Sequence, residues 1–334
     1  MTDNPAWDDY RESLRRDKAI NGTTEEACRQ HTAKALQEAA ARIEQIHRMG
    51  GVVGLTTGLP SLDRATLGLE GQRLYVLGGR PGAGKSALAI QIACHAARAG
   101  NRVVYWSLEM TATQNLMRQM LAVSRWKIED SFTDAPMPDS VWLEIDRFIV
   151  DAERNNTLPL FVPLSDATPR IVRSVTESLF PDLVVVDNLA LVESEAGDRD
   201  QFHAVSRASR AFKRLCNDLN VPVLLVAQLS RAVESREDRR PHIADLRGSG
   251  SIEQDADVVM LLYRREMYGR SEVQKKGYEP EDRRAARQYE ADLEYNKWRG
   301  KAEIIIGKHR DYRPAVLTLG YDAPAFRFHE LEAL

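Results

Sequence analysis

Residues 74–98 read LYVLGGRPGAGKSALAIQIACHAAR, and this stretch decides the fold. Leu74 to Leu77 is a short, unbroken apolar run of the kind that forms a strand buried on both faces. The eight residues after it, Gly79, Arg80, Pro81, Gly82, Ala83, Gly84, Lys85 and Ser86, match G-x-x-x-x-G-K-[ST] in full. Residues 85–99 then carry a helical pattern. In such a strand, loop and helix, the glycines let the loop turn so that its N–H groups meet phosphate oxygens, and the helix adds its positive N-terminal end. Lys85 reaches the β- and γ-phosphates, and the Ser86 hydroxyl holds Mg²⁺. A chance match is expected in roughly one chain in a hundred of this length, and the strand and helix on either side make it rarer still.

Working outward, further apolar runs at Val103 to Trp106, Leu183 to Val186, Val221 to Val226, Val258 to Tyr263 and Ile304 to Ile306 predict buried strands. Helical segments at about 85–99, 112–124, 139–154, 168–179 and 200–219 separate the earlier ones. The order is therefore βαβ, which predicts a mainly parallel sheet with right-handed crossovers and helices on both faces. Val316 to Leu319 and Phe326 to Phe328 are expected to close the sheet as antiparallel edge strands. Residues 264–301, highly charged and poor in strand formers, predict an exposed, partly helical excursion. Upstream, Thr23, Thr24, Glu25 and Glu26 have the form of a capping box. The helix it opens carries Leu36, Ala39, Ala40, Ile43 and Ile46 as one apolar stripe and stops at Gly50 and Gly51.

A phosphate loop requires an acid for the metal at the end of another buried strand, and Asp187 closes Leu183-Val184-Val185-Val186-Asp187. Glu109, after the strand ending Tyr105-Trp106-Ser107, is placed beside the phosphate-loop strand, where it would polarise the attacking water as catalytic base. Gln228 ends the strand Leu224 to Ala227, where an amide would feel the γ-phosphate. Ligands of open α/β sheets bind at the carboxyl ends of the strands, and all four signals fall there.

The 334 residues amount to one large or two ordinary domains. With 46 basic and 49 acidic residues the net charge is −3, and 43% of the chain is hydrophobic. That is a globular composition without a chain-wide basic field for nucleic acid, although a local basic strip would not show in the sum. Cys28, Cys94 and Cys216 have no metal-ligand or disulfide spacing, which fits reduced thiols in a cytoplasm. No apolar run is long enough for a membrane span or a signal segment.

The segments Thr57-Gly58-Leu59-Pro60-Ser61-Leu62-Asp63, GRPGAGKSALA, YWSLEM, VVVDNLALV, VPVLLVAQLSR, DLRGSGSIEQDADVVMLLYR and EIIIGKHRD, in this order, resemble the motor domain of the DnaB-type hexameric replicative helicases over about residues 55–328. The resemblance implies a RecA-like α/β core with ATP and Mg²⁺ as ligands. Lys85, Ser86, Asp187 and Glu109 keep their roles, and Gln228 couples γ-phosphate state to DNA contacts. Arg118 matches an arginine that steadies the acid or a phosphate. Lys308 and Arg310 match basic fingers that enter the neighbouring subunit's nucleotide site, and Arg247, Gly248, Ser249 and Gly250 match the channel loop that tracks single-stranded DNA.

The resemblance also implies a hexameric ring moving 5′ to 3′ and unwinding duplex at a fork, with a helicase loader and a primase as partners. Residues 1–54 are then a tail and linker helix docking on a neighbouring subunit, and residues 55–334 the motor. Only about 50 residues precede that motor, where bacterial relatives carry a further N-terminal domain, so a short, phage-like or mobile-element-like form is expected. Three features depart from the pattern. Asp311-Tyr312-Arg313-Pro314 replaces Asn-Gly-Pro, so Arg313 competes for the finger role; Gly248 stands where a glutamate is usual; and the charged insertion is long. The alternative is a RecA- or RadA-like DNA-dependent ATPase that binds without unwinding.

Overall fold

Leu74 to Leu77 becomes part of the middle strand of the sheet in the computed structural model, which describes residues 25–132, 136–163, 167–192, 201–236, 238–246, 248–268 and 281–331. The chain divides into two units, one up to Val53 and one from Gly54 onward. In the first, helix α1 (Glu25–Arg48) has no buried residue, and the capping threonines expected before it lie outside the described residues.

The second unit is built on one nine-stranded sheet. Its strands are β1 (Leu74–Gly79), β2 (Val103–Ser107), β3 (Leu160–Phe161), β4 (Leu183–Asp187), β5 (Val223–Gln228), β6 (Val258–Tyr263), β7 (Lys301–His309), β8 (Ala315–Asp322) and β9 (Arg327–His329), in the order β3-β2-β4-β5-β1-β6-β7-β8-β9. Strands β1 to β6 pair in parallel, and β7 to β9 continue the sheet antiparallel. All six apolar runs are strands. The fourth begins at Val223 rather than Val221, because Pro222 has no N–H to give a ladder and contributes only its carbonyl, to Val184. One expectation needs correcting: β2 does not lie beside β1, since β4 and β5 stand between them.

Helices cover both faces. On one, α3 (Lys85–Arg98) follows α2 (Pro60–Thr66) and is buried almost all round by Ala87, Leu88, Ala89, Ile90, Ile92, Ala93, Cys94, Ala96 and Ala97. Its small residues let it settle on Tyr75, Leu77, Val185, Leu224 and Met260. Burial pushes the Cys94 thiol up to about 12. The alternate residues Leu74, Val76, Val184, Leu225 and Val259 face the other layer. There α6 (Pro169–Leu179), α7 (Gln201–Leu219) and α8 (Ser249–Asp255) supply Val172, Phe212, Leu215 and Ile252. Helices α4 (Ala112–Ser124) and α5 (Asp139–Asn155) flank the β2 side. In the charged excursion α9 (Glu281–Trp298) is a helix, and residues 269–280 lie outside those described. Gln91 of α3 exchanges two hydrogen bonds with the Phe328 backbone, 2.9 Å to its carbonyl and 3.0 Å from its N–H.

The amino-terminal edge of the sheet is tied by Asp257. Its carboxylate accepts from Lys213 Nζ of α7 at 2.6 Å and from Leu74 N–H at 2.8 Å, and Arg310 stands at 3.1 Å. Lys213 is only 17% exposed, so removing the acid strands a half-desolvated cation and an amide. Asp257→Ala should cost about 3 kcal/mol of unfolding free energy, read from the urea midpoint, and Asp257→Asn, which still accepts from Leu74, distinctly less.

Candidate nucleotide site

Parallel pairing sets Gly79 of β1 against Gln228 of β5, Val226 against Asp187, and Asp187 against Ser107. The four strand ends therefore open on one edge. Beyond β1 the loop turns through Gly82 (φ 78°) and Gly84 (φ 102°), conformations that favour glycine. Gly84 is also tightly placed, because a Cβ there would stand 3.0 Å from Phe328 Cζ and the ring would have to give way. Of the loop, Pro81, Gly82, Gly84, Lys85 and Ser86 line a cleft of about 190 Å³ together with Glu109, Met110, Arg118, Asn188, Gln228, Tyr321 and Phe326. Gly79, Arg80 and Ala83 shape the loop without lining the cleft. The Arg80 side chain turns away, donating to the Leu229 carbonyl at 2.9 Å and pairing with Glu234 at 2.7 Å.

Lys85 Nζ donates to the Arg80 carbonyl at 3.1 Å. Burial lowers its pKa, against the raising influence of Asp187 and Glu109, so all three groups share one electrostatic neighbourhood. Glu109 reaches the cleft although its strand is separated from β1 by two others. Leu108 N–H bonds the Asp187 carbonyl at 2.7 Å, and Ser107 and Asn115 brace the turn. The Asn188 amide donates to Glu109 Oε2 at 3.4 Å.

Asp187 is buried, and burial holds its carboxyl above the usual carboxylate range. The nearby Ser86 and Tyr105 hydroxyls and Lys85 pull it down, while Glu109 pushes it further up. Tyr105 donates to Oδ2 at 3.0 Å, whereas Ser86, although close enough to be felt, makes no bond of ordinary geometry, and Oδ1 has no hydrogen-bond partner. A buried, unsatisfied carboxylate oxygen beside a serine hydroxyl is an all-oxygen donor set that suits Mg²⁺.

Several contributors were not singled out from sequence. Arg264 lies 4.2 Å over the Tyr321 ring and donates to the Gly82 carbonyl at 3.1 Å, backing the loop. Tyr321 and Phe326 form a wall, and Arg118 stacks 5.0 Å from the Phe326 ring instead of forming an ion pair with Glu109. Arg264 closes the segment DLRGSGSIEQDADVVMLLYR, directly after a buried strand, but nothing in that segment marks it as backing the phosphate loop.

Of the channel-loop residues, Arg247 lies outside the described residues. Gly248 (φ 75°) caps α8, and Ser249 and Gly250 form its first turn, so this part is helical rather than loop. The finger candidates stand elsewhere. Lys308 pairs with Val259 and His309 with Val258, at the start of β6, whereas Gly79 pairs with Leu262 near its end. At about 3.3 Å per residue, Lys308 and Arg310 lie some 10 and 17 Å along the strands from the level of the phosphate loop. Arg313 is exposed.

Residues 54–330 match the family model described as the DnaB-like helicase C-terminal domain. The chain belongs to that family. It is 31% identical over 318 residues to the replicative DNA helicase DnaB of Haemophilus influenzae, covering 92% of this chain and 63% of the relative. With the DnaB of Geobacillus stearothermophilus it shares 35% identity over 239 residues, 70% of this chain and 52% of that one. The chain thus spans less than two thirds of the length of these curated relatives.

Two solved structures superpose on this DnaB-like domain with TM-scores of 0.73 and 26% identity. One is a DnaB-like replicative helicase studied with its primase interactions, covering 89% of this chain and 66% of that one. The other is an isolated ATPase domain, covering 90% of this chain and 98% of that one. The fold is therefore the RecA-like α/β core of DnaB ATPase domains, preceded by helix α1.

The raised Asp187 pKa has a defined sign. Between the unfolded value of 3.8 and the higher folded value the native state binds more protons, so this group's contribution to stability grows as pH falls and is lost as pH rises through the folded value. At neutral pH the ionised carboxylate is held at a cost. Asp187→Asn should melt no lower than wild type at pH 7 without nucleotide, with any advantage shrinking toward pH 4. A lower melting temperature at pH 7 would contradict this account.

Proposed function

We propose that the chain is the motor of an ATP-driven, Mg²⁺-dependent replicative helicase. It assembles as a ring, most simply a hexamer, moves 5′ to 3′ on single-stranded DNA in the central channel and separates duplex at a fork. The observation that carries this reading is the split of the catalytic set. Lys85, Ser86, Glu109 and Gln228 share one cleft, while Lys308 and Arg310 stand at the opposite edge of the same sheet, out of reach of that cleft. A second copy presenting that edge completes the site.

In this reading the loop N–H groups and Lys85 hold the phosphates, and Glu109 orients the attacking water and takes its proton. Ser86 and Asp187 would hold Mg²⁺, which when bound would offset negative charge on the phosphates. Arg310 of an adjoining copy stabilises the charge of the transition state, an effect of about 10³ to 10⁵ in rate for such fingers. Gln228 has a short route to the channel residues: the next residue, Leu229, bridges to Leu246, and Ser230 N–H bonds the Asp245 carbonyl at 2.7 Å. Asp245 is itself clamped by Arg236, and its carboxyl lies below the usual range because hydrogen bonds from Arg236 and His242 outweigh burial. The apolar stripe of α1, with Leu36 and Ile43 67% and 70% exposed, is suited to docking on a neighbouring subunit. Polarity and contacts with a loader and a primase rest on family membership, and the cytoplasmic setting also on the isolated cysteines Cys28, Cys94 and Cys216.

Lys85→Ala and Glu109→Gln should each reduce ATP hydrolysis by at least about 10³-fold with unchanged circular dichroism. Mixing Lys85→Ala with Arg310→Ala subunits should restore part of the activity that each lacks, because mixed interfaces pair an intact cleft with an intact finger. No recovery at any ratio would remove the shared site. On a forked substrate with a 5′ tail, strand displacement must require ATP; DNA-stimulated hydrolysis without displacement would favour a DNA-dependent ATPase that does not unwind.

A further inference from the structure

Lys308 is not free to act as a finger. Its ammonium donates to the carbonyls of Glu253 and Ala256, the latter at 2.6 Å, at the carboxyl end of α8. These are the orphan carbonyls a helix leaves at its end, and a lysine there is favoured by both hydrogen bonding and the helix dipole. The other end of α8 begins at Gly248, the residue after Arg247. A side chain assigned to nucleotide thus grips the helix that carries the channel residues.

The backbone is shaped to make this contact. Met260 pairs with Ile306 but Val259 pairs with Lys308, so Gly307 is an extra residue in β7, a β-bulge. Without it Lys308 would fall on the face of Ile304 and Ile306, which pack with α3. The bulge turns it to the face of Ile305, which packs with Ile252 of α8 and its neighbours. A Cβ on Gly307 would stand 2.9 Å from Ile243 Cγ1, so a larger residue is crowded out there. Arg310 is held differently, by the Asp257 carboxylate.

We propose that Lys308 is a positioning residue that couples nucleotide state to the channel residues by exchanging partners. In one state it caps α8 and fixes that helix; in the other it engages the phosphate of the neighbouring subunit and releases α8. One ammonium cannot satisfy both, so phosphate on one side and the α8 carbonyls on the other bias the same two-state element, which is the physical requirement for coupling. The inference rests on the ring-helicase reading above.

The test measures single-stranded oligonucleotide affinity by fluorescence anisotropy on the full chain, without nucleotide and with a non-hydrolysable ATP analogue, for wild type, Lys308→Met and Lys308→Arg. Wild type should differ between the two conditions by about tenfold, a typical coupling. Lys308→Met, which lacks the cap in every condition, should bind without nucleotide as wild type binds with the analogue, within about twofold, and show faster hydrogen exchange over residues 249–256. Lys308→Arg, which can still cap, should keep most of the difference. If Lys308→Met without nucleotide binds as nucleotide-free wild type does, or binds more weakly in both conditions, Lys308 is a finger only and the proposal is overturned. If wild type itself neither binds the oligonucleotide nor hydrolyses ATP, the helicase reading fails first and takes this inference with it.

Discussion

Burying β1 on both faces is the constraint on which the rest depends. A strand enclosed by α3 on one side and α7 on the other can offer polar backbone only at its two ends. The parallel register brings the ends of β4 and β5 to the same level. Everything chemical is thereby forced to the rims of the sheet. The carboxyl rim gathers the phosphate loop, Asp187, Gln228 and the turn bearing Glu109. The amino rim gathers Asp257, Lys308 and Arg310. The two rims are separated by the height of a strand, so the groups at one do not meet those at the other within a single chain.

Electrostatics at the carboxyl rim work against stability. Lys85 and Asp187 are both driven toward their neutral forms by burial, and each partly restores the charge of the other. Two partly desolvated opposite charges, with one carboxylate oxygen unsatisfied, are a poor way to stabilise a fold and a good way to bind a polyanion with its cation. The amino rim has the opposite character. Asp257 is met by an amide, a lysine and an arginine, and its role is to lock β1, α7 and β7 together.

The buried strands, the phosphate loop and the acids at strand ends were legible because each depends on a local pattern: an apolar run, a glycine spacing, a charged residue directly after valines. What was not legible depends on pairing between distant segments. That β4 and β5 stand between β2 and β1 follows from sheet order, which no window of sequence carries. The two-residue β3 is too short to have a period. The helical first turn at Ser249 and Gly250 goes against the low helix propensity of glycine and is secured by packing of α8 against α7. The partners of Lys308 follow from one unpaired glycine in β7, visible only once β6 is beside it. Arg264 and Tyr321, which back the loop, are brought to it by β6 and β8, and nothing within their own segments points to the phosphate loop.

The paired hydrogen bonds between Gln91 and the Phe328 backbone span 237 residues. During synthesis α3 and the phosphate loop leave the ribosome early, yet the strand that supports Gly84 from behind is made long after them. While the intervening strands are translated, the chain carries a finished nucleotide-binding sequence without the floor beneath it. The order of manufacture thus leaves the phosphate loop without its backing until the sheet is closed, and a chain stopped short of Phe328 lacks the ring that stands behind Gly84.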